Sequence, residues 1–378
     1  MDNSVVNTNM PRRAMLRRSL AATAMGGASL LGAGCAGGAT SLSGSIGQSR
    51  NGVELTLLGT AAGPPIHPGR TGISSVLSVH GQTYVIDCGR SSATQYKNAE
   101  LEFRDLRSIF LTHLHADHVC DYYNFFLLAG FGPNDAAEGD GILSPVSVFG
   151  PGPAGRLSRS GTAEQAPTIA PEDPTPGLAE LTEHSHHAFA YSSNVFLRDT
   201  GITDIRSLID LHEISLPPVG ADPIHRPAPT MKPFTVTEDD RVSVSAVLVP
   251  HGPVFPSFAF RFDTDRGSIV FSGDTAASDN VVELATGADV LVHEALDIDW
   301  YKENGTPEHK ISHLTQSHTP AGTVGSIARK AGVGTLVLSH LAPAPPSSVS
   351  DARWRQQAQR GFDGRVLIGN DLDRIPVG

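Results

Sequence analysis

Apolar positions along this chain fall into short runs, each closed by a polar or glycine-rich cluster. Val53 to Leu58 is the first, and Gly59-Thr60-Ala61-Ala62-Gly63-Pro64-Pro65 closes it as a turn. Ser75 to Val79 and Thr83 to Ile86 follow, joined across His80-Gly81-Gln82, and read as a hairpin. Ile109-Phe110-Leu111, Val242 to Val249, Ile269-Val270-Phe271 and Thr335 to Ser339 have the same strand-like character. Val119 to Leu128 is apolar and aromatic and reads as a helix. Its Tyr122, Tyr123, Phe125 and Phe126 suit a core better than a pocket wall. A second helix runs from Pro320-Ala321-Gly322 to Ala331. Strands and helices in this alternation predict an α/β fold.

Two stretches break the pattern. Residues 151–235 are the least regular, with frequent proline from Pro151 to Pro176 and from Pro217 to Pro233. They are expected to form an insertion or lid rather than an independent domain. At the other end, Arg12-Arg13 and Arg17-Arg18 precede an apolar, small-residue run from Leu20 to Ala33. A charged region before an apolar one marks residues 1–35 as an export signal, and Arg17-Arg18-Ser19-Leu20 resembles the twin-arginine type. A transmembrane anchor is the rival reading, disfavoured because the run is short and rich in Gly and Ala. Gly32-Ala33-Gly34-Cys35 has the outline of a lipoprotein cleavage site, with Gly32 where Leu is usual. Cys35 is therefore either lipid-modified or within the removed or linker region, and membrane attachment is expected only through that lipid. Ala36 to Asn51, rich in Gly and Ser, reads as a flexible tether. Residues 52–378 then make up one domain, destined for the periplasm or cell envelope.

The chain has 378 residues, 39% of them hydrophobic, enough for one large α/β domain with a substantial core. Its formal net charge is −11, and removal of residues 1–35, with four Arg and one Asp, makes the remainder more acidic still. Such a balance disfavours nucleic acid and anionic membrane as partners. Beyond Cys35 only Cys88 and Cys120 remain, which excludes a disulfide framework. A single bridge or two packed thiols are left, the thiols preferred, with Cys120 read as packing.

The densest chemistry lies in Thr112-His113-Leu114-His115-Ala116-Asp117-His118, directly after the apolar run. Imidazole and carboxylate are the ligands that borderline divalent metals such as zinc prefer. His113 and His115, two apart, face the same way on an extended chain and suit one metal. Asp117 and His118 come where a helix begins and suit a second. Each site needs ligands from later in the chain. Pro250-His251-Gly252, Ser272-Gly273-Asp274-Thr275 and Ser339-His340 offer them, each at the C-terminal end of a predicted strand. α/β sheets build their sites there.

This ordered set resembles the metallo-β-lactamase superfamily, whose signature is His-x-His-x-Asp-His after a buried strand. The resemblance implies a four-layer αβ/βα sandwich that binds two zinc ions, other divalent metals being the alternative. One site would be His113, His115 and His251. The other would be Asp117, His118 and His340, with Asp274 bridging and Asp87 supporting the metal loop from behind. Leu291-Val292-His293-Glu294-Ala295 resembles the His-Glu-Ala-Thr motif of the ribonuclease Z branch, with Leu296 in place of Thr. His318-Thr319 resembles that branch's His-Ser/Thr motif, and Phe149-Gly150-Pro151-Gly152 its Gly-Pro turn. By this resemblance Asp117, Glu294 and His318 are the catalytic residues, with Glu294 orienting His318 and His318 assisting the leaving group. A buried core histidine is the plain alternative for His318. Dimers are common in the branch, so a homodimer is expected.

Other histidines carry less. Glu183-His184-Ser185-His186-His187 reads as a solvated loop or an adventitious metal site, His293 as a packed imidazole within a strand. His309 and His313 flank a polar loop beside Trp300 and Tyr301.

The expected function is that of an exported dinuclear zinc hydrolase, in which a metal-bound hydroxide attacks a small ester-like substrate, first of all a phosphodiester. Lactones, carboxylic esters and sulfate esters are the alternatives. Processing of tRNA 3′ ends is opposed by the acidic balance and by residues 151–235, which hold six Lys/Arg against ten Asp/Glu where that branch projects a basic arm. A β-lactamase proper fits the His118 and His340 ligands and the Glu294 and His318 motifs poorly, and a metal-dependent binder without catalysis is a further class.

Overall fold

The fold is taken from a computed structural model, which describes residues 52–130, 140–157 and 167–378. The segments expected to be an export signal and a tether, and Cys35, lie outside the described residues. The short apolar runs form strands close to their expected bounds. In chain order they are β1 (Val53–Gly59), β2 (Ser74–Val79), β3 (Gln82–Ile86), β4 (Leu106–Phe110), β5 (Val146–Gly150), β6 (Ile209–Glu213) and β7 (Phe234–Glu238). The second half continues with β8 (Ser243–Leu248), β9 (Phe258–Asp263), β10 (Ser268–Phe271), β11 (Val290–Leu296), β12 (Thr335–Ala342), β13 (Arg365–Ile368) and β14 (Arg374–Val377). The helices are α1 (Ser92–Asn98), α2 (Ala116–Val119), α3 (Tyr122–Ala129), α4 (Leu178–Ala188) and α5 (Ala190–Asp199). They are followed by α6 (Asp279–Ala285), α7 (Ile298–Glu303), α8 (Glu308–Ser317), α9 (Ala321–Ala331) and α10 (Asp351–Ala358).

The strands build two seven-stranded sheets, ordered β14-β1-β2-β3-β4-β5-β6 and β13-β12-β11-β10-β9-β8-β7. Each sheet is antiparallel at one end, through β14-β1-β2-β3 and β7-β8-β9-β10, and parallel at the other. All residues of β10 and β11 are buried, as parallel strands covered on both faces must be. Aromatic rings lock the sheets face to face: Phe110 of β4 meets Phe262 of β9 edge-on at 5.0 Å and stacks on Phe149 of β5. Tyr96 of α1 and Phe125 of α3 cover the outer face of the first sheet. Leu284 of α6, Ile327 of α9 and Trp354 of α10 pack with the core of the second. The result is the four-layer αβ/βα sandwich of the metallo-β-lactamase fold.

Four expectations are corrected. Residues 151–235 are not simply an irregular lid: their described part holds α4 and α5, and β6 pairs parallel with β5 as the edge of the first sheet. Proline frequency in the flanks masked this regular middle. The helix expected over Val119–Leu128 is broken at Cys120-Asp121, because the His118 carbonyl accepts from the Cys88 N–H rather than from a helical donor. Asp121 instead caps α1 by accepting from the Ala93 N–H at 2.7 Å. Cys88 is buried, but Cys120 is exposed and not a packed thiol, and the two are not bridged. His309 and His313 lie on α8, exposed, rather than on a loop.

Helix α9 crosses α10 at Gly325, where a Cβ would collide with the Ala358 carbonyl oxygen. Ala is ordinarily favoured over Gly in a helix by about 1 kcal/mol, but overpacking against backbone costs about 1–3 kcal/mol. Gly325→Ala is therefore expected to destabilise the fold. Gly322→Ala in the same helix, with nothing nearer than 3.7 Å, should hold or raise stability, by up to about 1 kcal/mol. Urea unfolding of the two variants checks this; equal midpoints would show that the crossing is not tight.

Candidate metal centre

The metal-run loop is tied down from behind before any of its histidines turns inward. Asp87 follows β3 in the left-handed region, at φ 57, and is buried. Its Oδ1 accepts from the Thr112 N–H at 2.8 Å, and its Oδ2 lies 2.8 Å from His118 Nδ1. That contact leaves His118 Nε2 facing the centre. Two further rings are fixed in the same sense. His251 Nδ1 donates to the Ser317 carbonyl at 2.9 Å, and His113 Nδ1 lies 3.1 Å from Thr112 Oγ1. A histidine secured through one ring nitrogen presents the other as a ligand in a set orientation.

Asp274 enters just past β10. The preceding Gly273 has φ 57, and a Cβ there would press on the Phe258 carbonyl, so only glycine makes this turn. Around Asp274 the side chains form two groups. In the first, His115 Nδ1 lies 3.0 Å from both His113 Nε2 and His251 Nε2, and these two lie 4.0 and 3.8 Å from Asp274 Oδ2. In the second, the Nε2 atoms of His118 and His340 each stand 3.4 Å from Asp274 Oδ2, and 3.7 and 3.4 Å from Asp117 Oδ2. Asp274 belongs to both.

These residues fit divalent cations. Ligand atoms about 2.0–2.1 Å from a tetrahedral zinc lie about 3.4 Å from one another, within the range of separations here. His118 Nε2 and Asp274 Oδ1 are buried without a hydrogen-bond partner, and buried polar groups normally have one. Burial keeps two of the ligand rings unprotonated, holding His113 well below the usual imidazole range and pushing His251 down to about 3, whereas at His118 burial is outweighed by Asp274 and Asp87, which raise it. Burial works against the Asp274 carboxylate, but the surrounding His340, His118 and His251 hold it well below the usual carboxyl range.

His340 departs from expectation in its backbone. The Thr335–Ser339 run does not end before it; β12 continues to Ala342, and His340 is bulged out of the pairing with β11 at φ 44. The bulge turns a side chain from the middle of a buried strand toward Asp274 and Asp117.

Glu294, on β11, accepts from the Thr275 N–H at 2.7 Å. Its carboxylate oxygens lie 3.0 and 3.1 Å from His318 Nδ1, just past α8. His318 is half-buried. Burial opposes its charge, but Glu294 and Asp274 outweigh that and raise its pKa to about 9. It is thus an imidazolium near neutral pH, next to the metal groups, with Nε2 left to meet a substrate oxygen. The structure brings all of Asp117, Glu294 and His318 to this one end of the sheets.

The remaining histidines lie elsewhere or behind. Glu183 to His187 is part of α4, not a loop; His187 pairs with Glu183, and His186 Nδ1 lies 2.7 Å from the Tyr123 hydroxyl. His293 is buried in β11, its Nδ1 donating to the Glu294 carbonyl at 2.7 Å. Sequence reasoning missed Thr112, Thr275 and Ser317, which anchor the loop, Glu294 and His251. Each adjoins a motif residue, and adjacency was the one signal available.

Comparison with known proteins agrees with this architecture. The family model described as "Anti-Pycsar protein Apyc1" matches residues 53–132, and that of the "Beta-lactamase superfamily domain" matches residues 173–341. Ribonuclease Z of Mycobacterium bovis (strain BCG / Pasteur 1173P2) is 30% identical over 325 residues, covering 86% of this chain and 98% of the relative. Ribonuclease Z of Mycobacterium avium (strain 104) is 31% identical over 327 residues, with 86% and 98% covered. Among solved structures, the short form of human tRNase Z superposes with a TM-score of 0.55 at 21% identity, covering 86% of this chain and 99% of that one. The metallo-β-lactamase fold protein YhfI of Bacillus subtilis gives 0.54 at 16%, with 86% and 100% covered. The structural likenesses establish the fold. The sequence identity, sustained across nearly the whole of each relative, places the chain in the metallo-β-lactamase superfamily, within its ribonuclease Z-like branch of metal-dependent hydrolases.

Proposed function

We propose that this protein is an exported dinuclear zinc hydrolase that cleaves a small phosphodiester. The observation that carries the reading is the pair of ligand groups sharing Asp274, with the Glu294–His318 pair beside them. His113, His115 and His251 would hold one ion and Asp117, His118 and His340 the other, with Asp274 between. When bound, such ions supply Lewis acidity toward a substrate oxygen and make water a nucleophile near neutral pH. The protein's own part is orientation and proton supply. Glu294 fixes the His318 ring through Nδ1, and the imidazolium gives its Nε2 proton to the departing oxygen. Thr275 holds Glu294, so the acid is aligned from the same turn that presents Asp274. Export rests on the N-terminal Arg17-Arg18-Ser19-Leu20 and the apolar run after it.

Identity to ribonuclease Z favours a second reading, a tRNA-processing endonuclease. The net charge of −11 and the excess of acidic over basic residues in 151–235 favour the small substrate.

Zinc-loaded protein is expected to hydrolyse bis(p-nitrophenyl) phosphate, and a chelator to abolish turnover. Fully metallated protein that leaves the diester intact would refute the phosphodiesterase reading and shift it to carboxylic or sulfate esters. Asp274→Ala should lower bound zinc below two ions per chain by elemental analysis; an unchanged stoichiometry would sink the shared-ligand arrangement. His318→Ala should keep the metal and slow turnover roughly 100- to 10,000-fold, most for poor leaving groups. Equal losses for good and poor leaving groups would remove the acid role.

A further inference from the structure

His115 is the one exposed member of its ligand group, while His113, His251 and Asp274 are buried. It also lines a cavity of about 340 Å³ with Leu114, Leu157, Leu181, Val254 and Phe255. That volume falls within the range of small-molecule sites, roughly 300–1,000 Å³. Five prolines stand in the walls, Pro151, Pro174, Pro176, Pro253 and Pro256, and their fixed φ favours a preformed shape. The wall on the side of residues 151–178 is also bonded together. Leu178 N–H donates to the Pro151 carbonyl at 2.9 Å, Gly155 N–H to Thr175 Oγ1 at 3.1 Å, and Ala179 N–H to Glu213 of β6 at 2.9 Å. One charged side chain, the exposed Arg156, belongs to the lining.

We infer that this cavity binds an apolar, ring-sized substituent of the substrate, held beside the ligand group at His115. The inference rests on the proposed phosphodiesterase reading and names the substrate class: a small diester with one bulky apolar arm. The described lining offers a single cation, the exposed Arg156, too few to cradle a succession of phosphates, so a polynucleotide strand is a poor occupant. A smaller cavity of about 190 Å³ flanks Asp117 on the second ligand group, leaving room for the lesser arm.

The test compares binding of phenylphosphonate and methylphosphonate to zinc-loaded protein by calorimetry. The two share a head group and differ in the apolar substituent. Phenylphosphonate is expected to bind about tenfold tighter or better, in line with the discrimination apolar pockets achieve. Two variants probe the walls: Ala154→Phe fills the cavity, and Leu157→Asp charges a residue 53% exposed, where the fold is not at risk. Both should bring the affinity ratio close to one. A ratio near one in the unaltered protein, a ratio unmoved by both variants, or no binding of either phosphonate would overturn the inference. Hydrolysis of bis(p-nitrophenyl) phosphate is read separately. A retained ratio with no diester turnover would dismiss the phosphodiesterase reading and leave the apolar pocket standing.

Discussion

The structure depends on one arrangement: a buried carboxylate, Asp274, ringed by imidazole nitrogens that converge on the same small volume. Burial keeps His113 and His251 neutral, so their inward nitrogens are acceptors, as are the carboxylate oxygens. The inward nitrogens of His113 and His251 face Asp274 Oδ2 across 4.0 and 3.8 Å as acceptor to acceptor, an arrangement that positive charge between them relieves. A hydrophobic core has no use for such a cluster. Three of the five rings, His118, His113 and His251, are aimed by outer partners, Asp87, Thr112 and Ser317, so the convergence is built and not incidental. The centre is where the protein gives up packing energy for chemistry.

The backbone bears the consequences. Asp87, Gly252, Gly273 and His340 all have φ between 44 and 57, and all lie in or next to the ligand set. A non-glycine residue in that region costs of order 1–3 kcal/mol and persists only where its surroundings fix it. At Asp87 the carboxylate's three contacts to Thr112 do so. At His340 the parallel pairing of β11 with β12 on either side of the bulge does. The duplicated sheet plan brings the C-terminal ends of β4, β8 and β10 to one edge, and the bulge adds β12.

Much of this was legible in the chain. The strands Val53–Gly59 and Ser268–Phe271 announced themselves as apolar runs closed by turn residues. The ligand-bearing positions announced themselves as polar groups where such runs end. His340 was grouped with them, but its bulge was invisible, since a bulge depends on the register between two strands and not on either strand's composition. The segment 151–235 misled for a related reason. Its prolines concentrate in the flanks, whereas β6 earns its place as a strand from pairing with β5, a tertiary effect that local propensity does not carry. The break at Cys120-Asp121 likewise follows from a competing hydrogen bond supplied by Cys88, some thirty residues away.

That misread segment bears directly on specificity. A loose lid would fold over any substrate, and its shape would adapt to what it covers. Here Glu213 of the edge strand β6 accepts from the first turn of α4, and the Pro151 carbonyl accepts from the same turn. The wall beside His115 is thereby fixed to the sheet that also carries the metal run. A wall of that kind selects by shape and apolar contact, whereas a charged arm selects by phosphate number. On the proposed reading, the ligand groups around Asp274 would serve the chemistry, and discrimination between substrates would lie in what β6 and α4 hold in place.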